Sequence, residues 1–393
     1  MSGKNSTSQD RKTKLIILIV IVAALVVALG LIIYFGTKNK NKTDETSSTT
    51  EPDSSIYDDL NVSSGAVDNT NEDVYNVDSN TLSILTGLPI DESKANKRPL
   101  SCMIENTKAC LPQYGLNQAG IVYECPAEGG ITRLMAIFDN YDNMDRIGNV
   151  RSCRPYYAYI SAEYDAIYVH YGQNLVAEQL LKTGIVDDLN GLDGSVGTTV
   201  FYRSSDKKAP HNAYASTDGI NAGIEKKGYS TDLPAGYEQH FKFYGPTEDN
   251  AIANGSPCEA LSLYFPNNKP YFIYDKDSKT YKRYQFGAAQ KDAIDGNQCE
   301  AKNIIIEYVP SQIYAGTDYL NITLNGSGKG KFITDGTITD VTWTKSSDSG
   351  VTRFYYADGT EITLNPGKTW FELCENSGED KNTFYETADQ MNN

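Results

Sequence analysis

Seven side chains able to hold an anion or move a proton fall within 79 residues of an otherwise acidic chain: Arg133, Asp139, Arg151, Arg154, His170, Arg203 and His211. Arg151 and Arg154 stand three apart in GNVRSCRP, where a strand-like run passes into a helical pattern. That spacing lets both guanidinium groups address one ligand beside the free N–H groups of a helix start, which is the chemistry of an anion site. Arg133, Arg203 and Asn212 complete the candidate ligand-binding set. The competing reading is structural, with each arginine paired to a nearby carboxylate such as Glu124, Glu128 or Asp145.

Proton transfer has three candidates, His170, His211 and Glu128. His170 ends the apolar run Ile167-Tyr168-Val169, and His211 sits in Ala209-Pro210-His211-Asn212. Strand ends are where α/β layers place ligands, and imidazole titrates near neutral pH. The alternative is a hydrogen-bonded structural histidine beside a proline-shaped turn. A metal held by both histidines with Glu124 or Glu128 would need spacings such as H-x-x-H or HExxH; these are missing, so no metal and no cofactor are expected. Ser152 and Cys153 lie at the helix start, but no G-x-S-x-G elbow accompanies them. A carboxylate pair drawn from Glu105, Glu124, Glu128 and Asp139 could serve glycoside hydrolysis only at a defined separation. Gly326–Gly330 and Asn365–Thr369 resemble phosphate loops without the required spacing, and both are expected to be hairpin turns.

The elements that must position these residues follow from hydrophobic period. LSCMIEN, GIVYECP, RLMAIFD and AIYVHYG read as strands, while RPYYAYISAEY and NLVAEQLLKTGI carry apolar residues at helical spacing. Residues 81–250 are therefore expected to form an α/β domain. From 251 to 376 the pattern changes to strands and turns, with ALSLYFP, PYFIYDK, TYKRYQF, NIIIEYV, YLNITLN, VTRFYYA, EITLN and TWFELCE. Asp335-Gly336 and Asp358-Gly359 are hairpin signals, so a smaller, mainly β domain is expected there. Residues 377–393 are polar and read as a flexible tail.

Ahead of both domains lies the uncharged apolar run Leu15–Phe35, 21 residues long. At about 1.5 Å rise per residue it matches the roughly 30 Å of a bilayer's hydrocarbon layer. No small-residue cleavage pattern and no lipid-acceptor Cys follows it, so it reads as one transmembrane signal anchor. Residues 1–14 are then a cytoplasmic tail, and 36–80, rich in Ser, Thr, Asn and acidic residues, a disordered stalk. The ectodomain is placed outside the plasma membrane. A net charge of −16 from 51 acidic and 35 basic residues argues against nucleic acid and against loose adhesion to anionic surfaces. Twenty-eight Tyr against twelve Phe is read as compositional drift ahead of an exposed binding surface. Seven Cys without a C-x-x-C pair cannot all pair within a monomer; buried free thiols are preferred to bridges within 102–153 or among Cys258, Cys299 and Cys374.

With LTGLPI, RPLSCMIEN, QAGIVYECPAEGGITRLMAIF, IGNVRSCRPYY, YDAIYVHYGQN, FYRSSDKKAPHNAYAS and NPGKTWFEL in order, residues 83–375 resemble the YerB-like bacterial envelope proteins, domain of unknown function 3048. The resemblance implies an exported, membrane-attached protein with an α/β N-terminal and a β C-terminal domain, of unsettled activity. Many such proteins are lipoprotein-like; this chain has a protein span in place of a lipidated Cys. Cys153 stands where relatives often carry a small residue, which weakens a nucleophilic role. The expectation is a membrane-anchored binding or regulatory module for a cell-wall polymer or wall-synthesis protein. The alternative is an enzyme acting on a wall polymer or phosphorylated precursor through an Arg/His cleft.

Overall fold

The computed structural model describes residues 81–392. The expected anchor at 15–35, the tail at 1–14 and the stalk at 36–80 lie outside the described residues. Among the described residues no helix is long and apolar enough to cross a membrane.

Ten strands build a central sheet: β1 (Leu100–Asn106), β2 (Ile121–Pro126), β3 (Thr132–Phe138), β4 (Ile167–His170), β5 (Asp188–Asn190), β6 (Ser256–Pro257), β7 (Asn303–Val309), β8 (Gly326–Thr334), β9 (Thr337–Lys345) and β10 (Thr369–Glu375). Their spatial order is β6-β9-β8-β7-β10-β2-β3-β1-β4-β5, with Arg353–Tyr355 added beside β9. The N-terminal domain is mixed α/β and the C-terminal domain mainly β, yet one sheet runs through both. β10, near the C-terminus, lies parallel to β2 on one side and to β7 on the other.

Why these runs are strands is clear from their faces. Every residue of β1, β2, β3 and β7 is buried, as expected when a sheet is covered on both sides and its strands read as continuous apolar runs. Leu100, Cys102, Ile104, Leu134 and Trp370 point into one core, where Leu261, Phe272 and Tyr281 of a second, six-stranded sheet pack on them. Met103, Met135, Ile305 and Phe371 point the other way, under helix α1 (Pro155–Glu163). Pro155 at the first helical position suits a helix start, since its missing N–H has no partner to lose. Helices α2 (Leu175–Leu181) and α3 (Thr217–Lys227) are capped by Asn174 and Ser216 side chains.

Three expectations change. Gly326–Gly330 is part of strand β8, not a turn; the turn falls later, at Asp335-Gly336, where both residues have positive φ and join β8 to β9. The segment after 376 is not a loose tail: Thr383–Tyr385 is a strand paired with Ala260–Ser262, because Phe384 packs on the core. The tyrosines are structural in large part. Tyr156, Tyr157, Tyr164, Tyr168, Tyr214 and Tyr281 are fully buried, and the Tyr156 hydroxyl donates to Pro126 O at 2.7 Å while Tyr281 donates to Cys258 O at 2.8 Å.

The seam between β2 and β10 sets Glu124 directly opposite Glu372, both fully buried. One fully buried arginine from the second sheet answers both: Arg283 Nη2 bonds Glu124, and Nη1 donates to Glu372 Oε1 at 2.8 Å. Its guanidinium carbon lies 4.2 Å from the Trp370 ring centroid and 4.9 Å from that of Phe272. Asn106 and Asn268 donate to Glu124 Oε1 at 2.9 and 2.7 Å, and Gln285 donates on to Asn106 at 2.9 Å. Burial raises the Glu372 carboxyl well above its usual range; Arg283 opposes this and Glu124 adds to it. Arg283 thus bridges two buried carboxyls, and Glu372 is held toward its protonated form.

Arg283→Met leaves Glu124 buried without a counter-charge and should cost about 3–5 kcal/mol in urea unfolding. Glu372→Gln, which mimics the protonated acid, should cost far less. Glu307 on β7 is buried, and burial, with Glu163 adding and Lys345 opposing, pushes its carboxyl up to about 8. The folded state therefore holds a proton that the unfolded state releases near 4.5, so this group's contribution falls as pH rises from there to about 8. Glu307→Gln should flatten that part of a stability-against-pH curve. All seven cysteines are free and buried, and burial raises the thiols, Cys153 to about 12. A thiol reagent should find none in the native protein and seven after denaturation.

Candidate functional site

The arginines meet where β1 and β4 end and α1 begins. Before the helix, residues 151–153 run extended between those two strand ends: Arg151 N donates to Met103 O at 3.1 Å, Tyr171 N to Arg151 O at 3.0 Å and Cys153 N to Gly172 O at 2.9 Å. Arg133 stands opposite Glu105 in the antiparallel β1–β3 pair, on the face that α1 covers. Sheet register and helix start thus bring together residues far apart in the chain.

Glu105 organises the centre. Its carboxylate is 3% exposed; Oε1 accepts from His211 Nδ1 at 2.6 Å and from Thr107 Oγ1 at 2.7 Å. Oε2 lies 3.7 Å from Arg151 Nε, too far for a hydrogen bond, and neither atom has another partner. Arg151 Nη1 reaches Pro210 O at 3.3 Å. His211 is partly exposed. With Nδ1 on the carboxylate, its Nε2 is left without a partner.

Arg133 is 6% exposed and its guanidinium makes one hydrogen bond, from Nη1 to Ser152 O at 2.7 Å. Among the described residues no carboxylate lies within ion-pair distance of it. Burial first, then the neighbouring Arg154 and Arg151 charges, hold its pKa below the usual arginine value. Arg203 is exposed, donates to Asn212 Oδ1 at 2.8 Å, and lies 4.8 Å over the Tyr171 ring. Asn212 is fixed in turn by a bond to Ser204 O at 2.8 Å.

Three predicted members leave the set. Arg154 is held by Glu128 through three bonds, Nε to Oε1 at 2.7 Å, Nε to Oε2 at 2.9 Å and Nη2 to Oε2 at 2.7 Å. Glu128 is equally committed: burial works to raise its pKa, but the Arg154 bonds and charge outweigh this and hold it low, which does not suit a general acid. His170 is fully buried, with Nδ1 on Gly172 O at 2.9 Å and Nε2 on Asp188 at 3.0 Å. It braces the turn after β4 and cannot reach a ligand.

The carboxylates proposed for glycoside chemistry are dispersed. Glu105 and Glu124 belong to opposite faces of the sheet, Glu128 is locked to Arg154, and Asp139 follows the far end of β3, bonded to Ser83. Ser152 gives its carbonyl to Arg133, and Cys153 is buried and inert. Among the described residues no group of three His, Cys, Asp or Glu is placed to hold a metal. Sequence reasoning missed Glu105 as organiser. The signal was present, since a carboxylate inside the apolar run LSCMIEN must find partners once both faces of the strand are covered.

Residues 85–230 match the family profile "Protein of unknown function (DUF3048) N-terminal domain", and residues 261–371 match its C-terminal domain. The chain is 32% identical over 292 residues to "Putative lipoprotein YerB" of Bacillus subtilis (strain 168), covering 74% of this chain and 85% of that protein. It is similar in structure to the crystal structure of YerB from Bacillus subtilis, with a TM-score of 0.67 and 29% identity, over 77% of this chain and 99% of that one. Sequence and fold agree that the chain belongs to the YerB-like family, whose two domains carry the name DUF3048.

Proposed function

We propose that this protein works on the outer side of the plasma membrane as a binding module for an anionic wall component, gripped by Arg133, Arg151 and Arg203. The observation that carries this reading is Arg133, a guanidinium nine-tenths buried with one carbonyl bond and no carboxylate, beside two further arginines. Arg154 and Arg151 have Glu128 and Glu105; among the described residues the third cation has no carboxylate within ion-pair distance. Keeping such a charge buried is costly, and a phosphate or carboxylate from a ligand would relieve that cost. The apolar run 15–35 and the name of the Bacillus relative support attachment at the envelope, by a protein span here.

A second reading rests on His211, whose Nδ1 is held by a buried carboxylate while Nε2 stays open. That is the arrangement of a general base, and it fits an enzyme acting on a phosphorylated wall precursor. The two readings part at His211. Full-length protein in detergent micelles should retain a phosphate-rich wall-polymer fraction, and Arg133→Met or Arg151→Met should weaken retention about tenfold, equivalent to about 1.4 kcal/mol. His211→Gln should leave retention unchanged. Retention unaffected by either arginine change would sink the binding model, and turnover of a phosphorylated precursor lost in His211→Gln would favour the enzyme.

A further inference from the structure

A cleft of about 750 Å³ opens beside the loop that leads into β10, away from the arginines. Its walls come from both domains, with Leu88 and Asn117 on one side and residues 278–302 and 366–368 on the other. Three lysines line it, and two are neutralised. Lys282 pairs with Glu300, and Lys302 with Asp249. The remaining acid, Asp295, receives Asn117 Nδ2 at 3.0 and 3.1 Å and Asn297 N at 2.9 Å.

Lys368 is the exception. Among the described residues no carboxylate lies within ion-pair distance of its ammonium, whose one hydrogen bond runs to Leu116 O at 2.6 Å. Two N–H groups remain free. Burial pushes its pKa down to about 8, while Cys299 and the acids Asp292, Glu300 and Asp295 act the other way. The backbone around it is fixed: Gly367 N donates to Thr86 O at 2.8 Å, and Lys368 O accepts from Lys302 N at 2.8 Å and Asn303 N at 3.1 Å. Gly367 has φ +139°, and a Cβ there would lie 2.7 Å from Lys302 Cβ, so the loop comes this close only with glycine. The backbone that carries Lys368 is therefore held in place.

The rest of the lining selects the ligand. The Asn297 side chain makes no hydrogen bond among the described residues, and Gln298 donates to Arg283 O at 2.8 Å, which leaves its Oε1 open. These amides complement a peptide group. Leu88, 40% exposed, and Pro366 offer an apolar wall for one small side chain. Lys368 offers a single positive charge and Asp295, bonded only to amides, adds a negative one, so the cleft suits a singly charged carboxylate better than a phosphate dianion.

We propose that this cleft binds the C-terminal carboxylate of a short peptide, with the Lys368 ammonium as counter-ion and Asn297 and Gln298 pairing with the last amide. The site is independent of the arginine cluster. Calorimetric titration of full-length protein in detergent micelles with N-acetylglycyl-alanine, against the same dipeptide as its C-terminal amide, tests it. The free acid should bind at least about tenfold more tightly than the amide. Lys368→Met should lose that preference, and Arg133→Met should keep it. Because Lys368→Met also frees Leu116 O, a second readout uses the unaltered chain: the free acid, but not the amide, should protect Lys368 from reductive methylation. Equal binding of acid and amide, no binding at millimolar concentration, or an unprotected Lys368 would overturn the proposal.

Discussion

Two glutamates brought side by side by a parallel strand pair are the constraint on which this molecule depends. Glu124 of β2 and Glu372 of β10 face each other across the seam between the domains, fully buried. Like charges at that distance in a dry interior repel, which pushes the Glu372 carboxyl toward its protonated form, while Arg283 bonds both side chains. Because Arg283 belongs to the second sheet, the same ion pair clamps that sheet onto the first. Trp370 and Phe272 close over the guanidinium and exclude water. The polar network and the apolar core are then one construction: loosening the arginine exposes the sheet, and separating the sheets strands the charges.

That clamp explains why the two family domains do not behave as beads on a string. β10 lies between β2 and β7, so the sheet of the C-terminal domain continues into that of the N-terminal domain. The arginine cluster stands at strand ends held by this shared sheet, and the Lys368 cleft lies beside the loop that delivers β10 to the seam. Both are fixed by backbone that cannot shift without disturbing the clamp, so little ordering would be left to be done if a ligand bound there.

Inside the cluster, charge balance separates structural from available arginines. Arg154 has a bidentate carboxylate and is spent on holding the 126–132 turn against the start of α1. Arg151 has half a partner, sharing Glu105 with His211 at a longer distance. Arg133 has none. The gradation from paired to unpaired follows position: Glu128 and Glu105 reach the two arginines on the extended segment, while the guanidinium on β3 meets a carbonyl.

The long apolar runs were legible in the chain itself. LSCMIEN, NIIIEYV and TWFELCE read as strands, RPYYAYISAEY as a helix packed on a sheet and Asp335-Gly336 as a hairpin turn, because period and φ preference act over a few residues. The grouping of Arg133, Arg151 and His211 within 79 residues was also visible. Which arginine would be free was not. Neither was the meeting of Glu124 with Arg283, separated by 159 residues, nor the lack of a carboxylate within ion-pair distance of Lys368 among the described residues. Local sequence sets the type of each element through backbone sterics and side-chain period, whereas the partner of a charge depends on which distant strand lies next to it, and strand order is decided only when the whole core packs.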